Sequence, residues 1–161
     1  MTNIKDYITN DLKALNTTDT IEKAQDKLFD ASFSHFPVLD SGIYLGCVST
    51  IDLESFDDAK LVSDYRYTLE GFYVRDTTIW LDVLEVFAKN HTNLVPVLDE
   101  NNVYLGYYEI EDIIKFFHET PFLKEPGGII VVEKPILDYS MSEIAQIVES
   151  NNGKLLGLFI S

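Results

Sequence analysis

The sequence contains a single cysteine, Cys47, in 161 residues. No internal disulfide can form and no cysteine cage for zinc is available. Histidine is almost as scarce, and His35, His91 and His118 share no ligand-type spacing. Positive charge is short: 12 Lys plus Arg stand against 27 Asp plus Glu, a net charge of −15. Proteins that wrap nucleic acid or dock on anionic lipid need clustered cations, so the balance argues against both partners. Apolar runs are also short. None approaches the ~18 residues that span a bilayer, and residues 1–7 carry no apolar leader. The expected setting is soluble, reducing and cytoplasmic. No P-loop, G-x-G-x-x-G, G-x-S-x-G or H-E-x-x-H occurs, so nothing in the residues points to an enzyme.

What is present is a duplication. Ala24–Asp40 (AQDKLFDASFSHFPVLD) matches Val83–Asp99 (VLEVFAKNHTNLVPVLD) at an offset of 59. After turns that differ by one residue, Ile43-Tyr44-Leu45-Gly46 matches Val103-Tyr104-Leu105-Gly106 at an offset of 60. Each copy then enters an acidic amphipathic segment, Thr50–Phe56 or Ile110–Phe117. Apolar residues make up 46% of the chain, enough for a core.

The spacing of Ile21, Ala24, Leu28 and Phe29 predicts a helix capped by Asp19 or Thr20. Trp80, Val83 and Phe87 predict its counterpart, capped by Thr77 or Thr78. Val-rich runs at Phe36–Leu39 and Leu94–Leu98 predict strands, each followed by a turn and a second strand. Pro37 and Pro96 lack a ladder N–H and are expected at a strand start or edge. Each unit is therefore helix–strand–strand–helix. A unit of ~60 residues hides its apolar faces poorly alone, so the two are expected to pack together. Residues 58–76 are too apolar for a loose linker and are expected to pair partly with a sheet. Beyond the break at Pro126-Gly127-Gly128, Ile129–Glu133 reads as a buried strand, Tyr139–Ser150 as a helix ended by Asn152-Gly153, and Leu155–Ile160 as a second strand.

The stretch Gly46–Asp52 runs from strand into helix. Gly46 permits close backbone approach or unusual φ. Ser49 suits an N-cap, with Asp52 at the acid position of a capping box. That geometry serves a capped helix and nothing else, or it serves a ligand: free helix N–H groups and the hydroxyls of Ser49 and Thr50 suit a phosphate, and Asp52 can accept from ribose hydroxyls. The second copy, Gly106–Asp112, has Glu109 where the first has Ser49. A carboxylate at ~4 Å from a phosphate costs roughly 1 to 4 kcal/mol. That turn is expected to be empty, to take a nucleoside without phosphate, or to favour a cationic nucleoside compound, with Asp112 still able to hold a ribose. Cys47, inside an apolar run, reads as an inert buried thiol. The acidic segments lack EF-hand spacing and read as solvated faces, so no metal site is expected.

The duplicated unit, with Pro37-Val38-Leu39-Asp40 before Gly46–Asp52 and Pro96-Val97-Leu98-Asp99 before Gly106–Asp112, resembles the CBS domain, and the pair resembles a Bateman module. The stretch from Gly128 onward resembles the first strand, helix and strand of an ACT domain, an order similar to acetoin-utilisation-type regulatory proteins. The resemblance implies an α+β fold: CBS repeats at 1–58 and 59–121 with pseudo-two-fold symmetry, then a βαβ ACT-like half domain at 126–161, expected to be truncated. It implies a regulatory module that binds an adenine nucleotide or adenosyl compound (AMP, ADP, ATP or S-adenosylmethionine) between the repeats. It implies no catalysis and no required cofactor, with Mg²⁺ able to accompany ATP. A homodimer and an unidentified regulated protein are the expected partners. The alternative is a ligand-free dimerisation scaffold. Gly46, Ser49, Thr50 and Asp52 form the preferred site, and Gly106, Glu109 and Asp112 the second. Thr18, Thr20, Thr77 and Thr78 precede each first helix, where family members contact ligand, although capping is their plainer role. His35, Phe36 and Pro37 stand where the family contacts the base, although His35 reads first as an exposed loop residue. Arg75 is a cation that could face phosphate, or a surface ion pair.

Overall fold

The computed structural model describes residues 3–30, 32–133, 135 and 140–159. Two compact units divide the chain, Met1–Phe116 and Phe117–Ser161.

The first unit contains two three-stranded sheets built to one plan. β1 (Leu15–Asn16) lies parallel to β2 (His35–Asp40), which pairs antiparallel with β3 (Ile43–Ser49). β4 (Val74–Arg75), β5 (Leu94–Leu98) and β6 (Tyr104–Glu109) repeat that arrangement. The helices are α1 (Ile21–Asp26) and α2 (Thr50–Ser55) in the first repeat, α3 (Trp80–Lys89) and α4 (Ile110–His118) in the second. Thr20 caps α1, its side chain accepting from the Lys23 amide at 3.3 Å. α1 is shorter than the periodicity predicts, because residues 27–30 tighten into a 3₁₀ turn. Neither Thr77 nor Thr78 caps α3. Its N-cap is Ile79, and Thr78 Oγ instead accepts from the Arg75 amide at 3.0 Å.

Both prolines sit inside the central strand of their sheet, not at a start or edge. The reason is the partner across from each. Pro37 lies opposite Cys47, whose N–H and C=O both pair with Glu70 at 2.8 Å and therefore face away from β2. Pro96 lies opposite Tyr107, which pairs both groups with Thr9. On their other side β1 and β4 pair only Val38–Leu39 and Val97–Leu98. The missing N–H thus removes no ladder bond.

Those same bonds bring outside segments onto each sheet. In each sheet the register shifts after Val38 or Val97, next to Gly46 (φ +156°) and Gly106 (φ +146°). A Cβ on Gly46 would meet Leu69 Cβ at 2.9 Å and Glu70 O at 3.0 Å, and one on Gly106 would overlap Thr9 O. Glycine is required at both by conformation and by close approach. The linker joins a sheet, as its composition predicts: β4 pairs with β5 and Glu70 bridges Cys47. Packing also crosses between the copies. Tyr65 and Leu69 of the linker pack on the first repeat's core, while Ile4, Tyr7 and Ile8 pack on the second's.

The repeats meet about a pseudo-two-fold axis. Tyr44 N donates to Asn102 O and Tyr104 N to Gly42 O, each at 3.4 Å, and Ile43 bridges Val103. Reciprocal bonds between positions 60 apart are what such an axis requires.

In the second unit α5 (Pro121–Lys124) follows Thr120, and α6 (Met141–Ser150) is capped by Ser140, which accepts from Glu143 N. Asn152 adopts φ +61° and Gly153 N bonds Val148 O, closing the helix as its Asn-Gly signal predicts. Tyr139 and Ile160 lie outside the described residues. The two expected strands do not form among the described residues. Ile129, Ile130 and Val131 are over 80% exposed, and residues 155–159 have no ladder. A β-prone run becomes a strand only beside a partner that accepts its hydrogen bonds, and among the described residues none lies beside these.

Candidate functional site

The turn from β3 into α2 closes on itself. Ser49 is the N-cap, and its Oγ accepts from Asp52 N at 3.1 Å. The amide of Thr50 donates to Ser34 O at 2.9 Å. Ser49, Thr50 and Asp52 are half-buried, whereas Gly46 is buried beneath residues 69–70.

The turn from β6 into α4 is built differently. Ile110 N donates to Asn93 O at 3.1 Å, the counterpart of the Thr50 bond. Glu109 stands at the cap position, half-buried. Burial raises its carboxyl above the usual range, and the negative charges of Asp112 and Glu111 push it further in the same direction. Asp112 is paired with Lys115 at 2.8 Å.

Beside Glu109 lies a cleft of about 430 Å³, lined by Asp11, Leu12, Lys13, Lys27, Phe33, Tyr107 and Glu109. Both repeats contribute: Lys27 and Phe33 come from the first, Tyr107 and Glu109 from the second. Phe33 and Tyr107 meet edge to face at 5.4 Å. Tyr107 Oη accepts from Leu12 N at 3.2 Å, which fastens the N-terminal segment to the second sheet. Lys27 Nζ donates to Lys13 O at 3.1 Å and to Ala14 O at 3.4 Å. Burial lowers the Lys27 ammonium below its ordinary value. The cleft therefore joins an apolar wall, two lysines and two carboxylates in a volume that suits a small organic ligand.

A second cleft, of about 410 Å³, runs past Ile4, Lys5, Asp76, Thr77, Thr78, Trp80 and Phe116, with Lys5 and Asp76 paired at 2.7 Å. Thus Glu109 lines one cleft and Thr77 and Thr78 the other, while Ser49, Thr50 and Asp52 line neither. Thr18 is exposed. Arg75 does not face a cleft: it donates to Asp99 O and to Asn102 Oδ1, bracing the β5–β6 turn, and lies over the Tyr73 ring. His35 is buried at the start of β2, not exposed. Its Nδ1 is 2.9 Å from Ser34 Oγ and its Nε2 is 3.3 Å from Glu70 Oε1. Phe36 and Pro37 are buried beside it. Cys47 is fully buried and its thiol is pushed up to about 12, as an inert thiol would be. Among the described residues no group of three metal-ligating side chains occurs, and no helix is long and apolar enough to cross a membrane.

Sequence reasoning missed Asp11, Lys13, Lys27 and Phe33. The signal was available: residues 1–14 stand one repeat upstream of the linker, and the argument that packed residues 58–76 onto a sheet applies to them equally.

The CBS domain family matches residues 4–56 and 62–119. The chain belongs to the CBS-domain family. Its two repeats form a CBS pair, a regulatory module. The chain is similar to a CBS domain pair/ACT domain protein from Thermotoga maritima, with 20% identity and a TM-score of 0.65 over 73% of this chain and 98% of that one. It is also similar to CBSX2 solved in complex with AMP, with 18% identity and a TM-score of 0.59 over 73% of this chain and 96% of that one. An uncharacterized protein of Methanocaldococcus jannaschii is 25% identical over 150 residues, 92% of this chain. The chain spans 56% of that relative's length.

Proposed function

We propose that this CBS pair is a non-catalytic sensor for an adenine nucleotide, and that the ligand occupies the cleft beside Glu109. The observation that carries this reading is the composition of that cleft. Phe33 and Tyr107 offer an apolar wall for a base, Glu109 and Asp11 can accept from ribose hydroxyls, and Lys13 and Lys27 provide cations for one phosphate. The ammonium of Lys27 is poised for an anion, because burial penalises its charge until a counter-charge arrives. With two lysines and a net charge of −15, a monophosphate suits the cleft better than free ATP. AMP bound to the similar CBSX2 supports the same class. We weigh the open cleft above the Ser49–Asp52 turn, whose hydroxyl already caps α2, and keep that turn as a second site. Signalling would arise from different affinities for two arrangements of the pair.

A thermal-shift panel of AMP, ADP, ATP and S-adenosylmethionine tests the proposal. At about 100 times its Kd a ligand adds roughly 2.7 kcal/mol. AMP should give the largest shift. Silence across the panel would overturn the reading in favour of a ligand-free dimerisation scaffold.

A further inference from the structure

We infer that Ser34 and Asn93 form a clamp on the pseudo-two-fold axis that mechanically couples the two motif turns. The two residues are 59 apart, equivalent positions of the duplication. Each does two jobs with different atoms. Its carbonyl accepts from the first amide of its own repeat's motif helix: Thr50 N to Ser34 O at 2.9 Å, and Ile110 N to Asn93 O at 3.1 Å. Its remaining polar groups grip the other repeat. Ser34 N donates to Asn93 Oδ1 at 2.9 Å, Ser34 Oγ donates to the same oxygen at 3.1 Å, and Asn93 N donates to Ser34 Oγ at 3.2 Å. Asn93 Nδ2 adds a bond to Ser32 O at 2.8 Å.

A continuous route results: α4 amide, Asn93, Ser34, α2 amide. Every link is a short hydrogen bond. The first helical amide has no partner within its helix, so the clamp is what holds that amide in each turn. Moving the start of either helix pulls a carbonyl whose residue is bonded across the axis. The clamp also has side anchors. Thr92, the neighbour of Asn93, donates its Oγ1 to Leu94 O and accepts from Leu94 N, which ties the junction into β5. His35 ties it through Glu70 to β3. Two equivalent residues that grip one another while each holds a motif helix have the arrangement needed for one site to sense the other. That a ligand drives the movement rests on the proposed function; the coupling itself does not.

Hydrogen exchange of single amides, read by NMR on the ligand-free protein, tests the coupling. Asn93→Ala keeps the carbonyl that holds Ile110 but removes the Oδ1 that accepts from Ser34 N and Oγ, leaving only the bond from the residue 93 backbone N–H across the axis. Exchange at Thr50, in the opposite repeat, should rise about five- to tenfold, the range expected for one or two lost hydrogen bonds. Ser34→Ala should raise exchange at Ile110 in the same way, and Ser34→Thr, which keeps the hydroxyl, should restore protection. Ala24 and Val83, whose amides bond within their own repeats, are the references. Unchanged exchange at Thr50 in Asn93→Ala overturns the inference, and so does an equal rise at Thr50, Ala24 and Val83, which would mean general loosening. If Asn93→Ala does not fold, Ser34→Ala carries the same readout. A second arm adds AMP. In the wild type, protection should increase at both Thr50 and Ile110, and in Asn93→Ala only at Ile110. Absence of any AMP response in the wild type would defeat the proposed ligand while the ligand-free arm still decides the coupling.

Discussion

The two repeats share a frame and differ in fittings. Gly46 and Gly106 both take positive φ beside a register shift, and both admit a crossing backbone within contact distance. At the motif turns the likeness stops. Ser49 folds its hydroxyl back onto Asp52 N and closes its turn, while Glu109 cannot cap in that way and borders an open cleft. A further difference lies at the start of each return strand. Tyr44 Oη donates to Phe72 O at 2.6 Å, whereas the Oη of its counterpart Tyr104 is buried with no hydrogen-bond partner among the described residues. Backbone crowding therefore holds the duplicates to one geometry, and their side chains, at the motif turns and at this buried phenol, are where they part.

The largest effect should come from testing the shared frame. Gly106→Ala would place its Cβ into Thr9 O, a backbone atom that cannot rotate aside, and would also force a residue with a side chain into positive φ. A loss above about 3 kcal/mol of stability is expected from strain and overpacking together. Gly46→Ala meets Leu69 Cβ and Glu70 O at 2.9 and 3.0 Å, so its loss should be smaller, about 2 kcal/mol. Urea unfolding of both variants checks the order. A smaller loss for Gly106→Ala would break the claim that the N-terminal segment clasps the second sheet more closely than the linker clasps the first.

Much of this frame was legible in the residues. The duplicated Pro-Val-Leu-Asp and the Gly six or seven positions on gave the hairpins, and Ser49 and Thr20 announced their own caps, because caps and turns depend on a few neighbouring side chains. Non-local features were not legible. Whether Pro37 may occupy a central strand depends on where Cys47 points its amide, which depends in turn on Glu70. The exposed placement of Ile129–Val132 depends on the absence of a neighbouring strand among the described residues, which no local pattern encodes. The cleft at Glu109 is assembled from residues 11–13, 27, 33, 107 and 109, so no single motif marks it.

The next effect separates the two turns as ligand sites. Lys27→Met should lower AMP affinity about tenfold or more, the value of a charge-assisted hydrogen bond. Folding should weaken by only about 1 kcal/mol, since the bonds to Lys13 O and Ala14 O are lost while a charge that burial disfavours is removed. Asp52→Ala should change affinity by less than about twofold, within the ±0.5 kcal/mol of a peripheral substitution. Calorimetric titration distinguishes them, and the reverse order would move the occupied site to the Ser49 turn.

A smaller effect follows from Glu109. Its carboxyl is raised, first by burial and then by Asp112 and Glu111. A raised folded-state value means that the folded protein takes up this proton more readily than the unfolded chain. The charged form is thus the disfavoured one, and the resulting stabilisation appears as pH falls through the raised value, not as it rises. In the cleft the same protonation removes a negative charge from the neighbourhood of the phosphate. The ratio of wild-type to Glu109→Gln affinity for AMP should therefore climb about two- to fivefold from pH 7.5 to pH 5. Protonation of the phosphate itself affects both proteins alike and cancels in the ratio. A flat ratio would remove Glu109 from the ligand's surroundings.

The finest comparison concerns the two tyrosines. Removing the Tyr44 hydroxyl deletes a bond of 2.6 Å and leaves Phe72 O without that donor, so Tyr44→Phe should cost about 1 kcal/mol. Removing the Tyr104 hydroxyl deletes a buried polar atom that makes no hydrogen bond among the described residues. Its desolvation is then unrecovered, and Tyr104→Phe should be neutral or should stabilise by up to about 1 kcal/mol. Both substitutions keep the ring, so packing is the same before and after, and the difference between the two denaturation midpoints isolates the hydroxyl. Equal losses would mean that the two phenols do the same work, and the second repeat would then match the first at this position as closely as it does at its glycines.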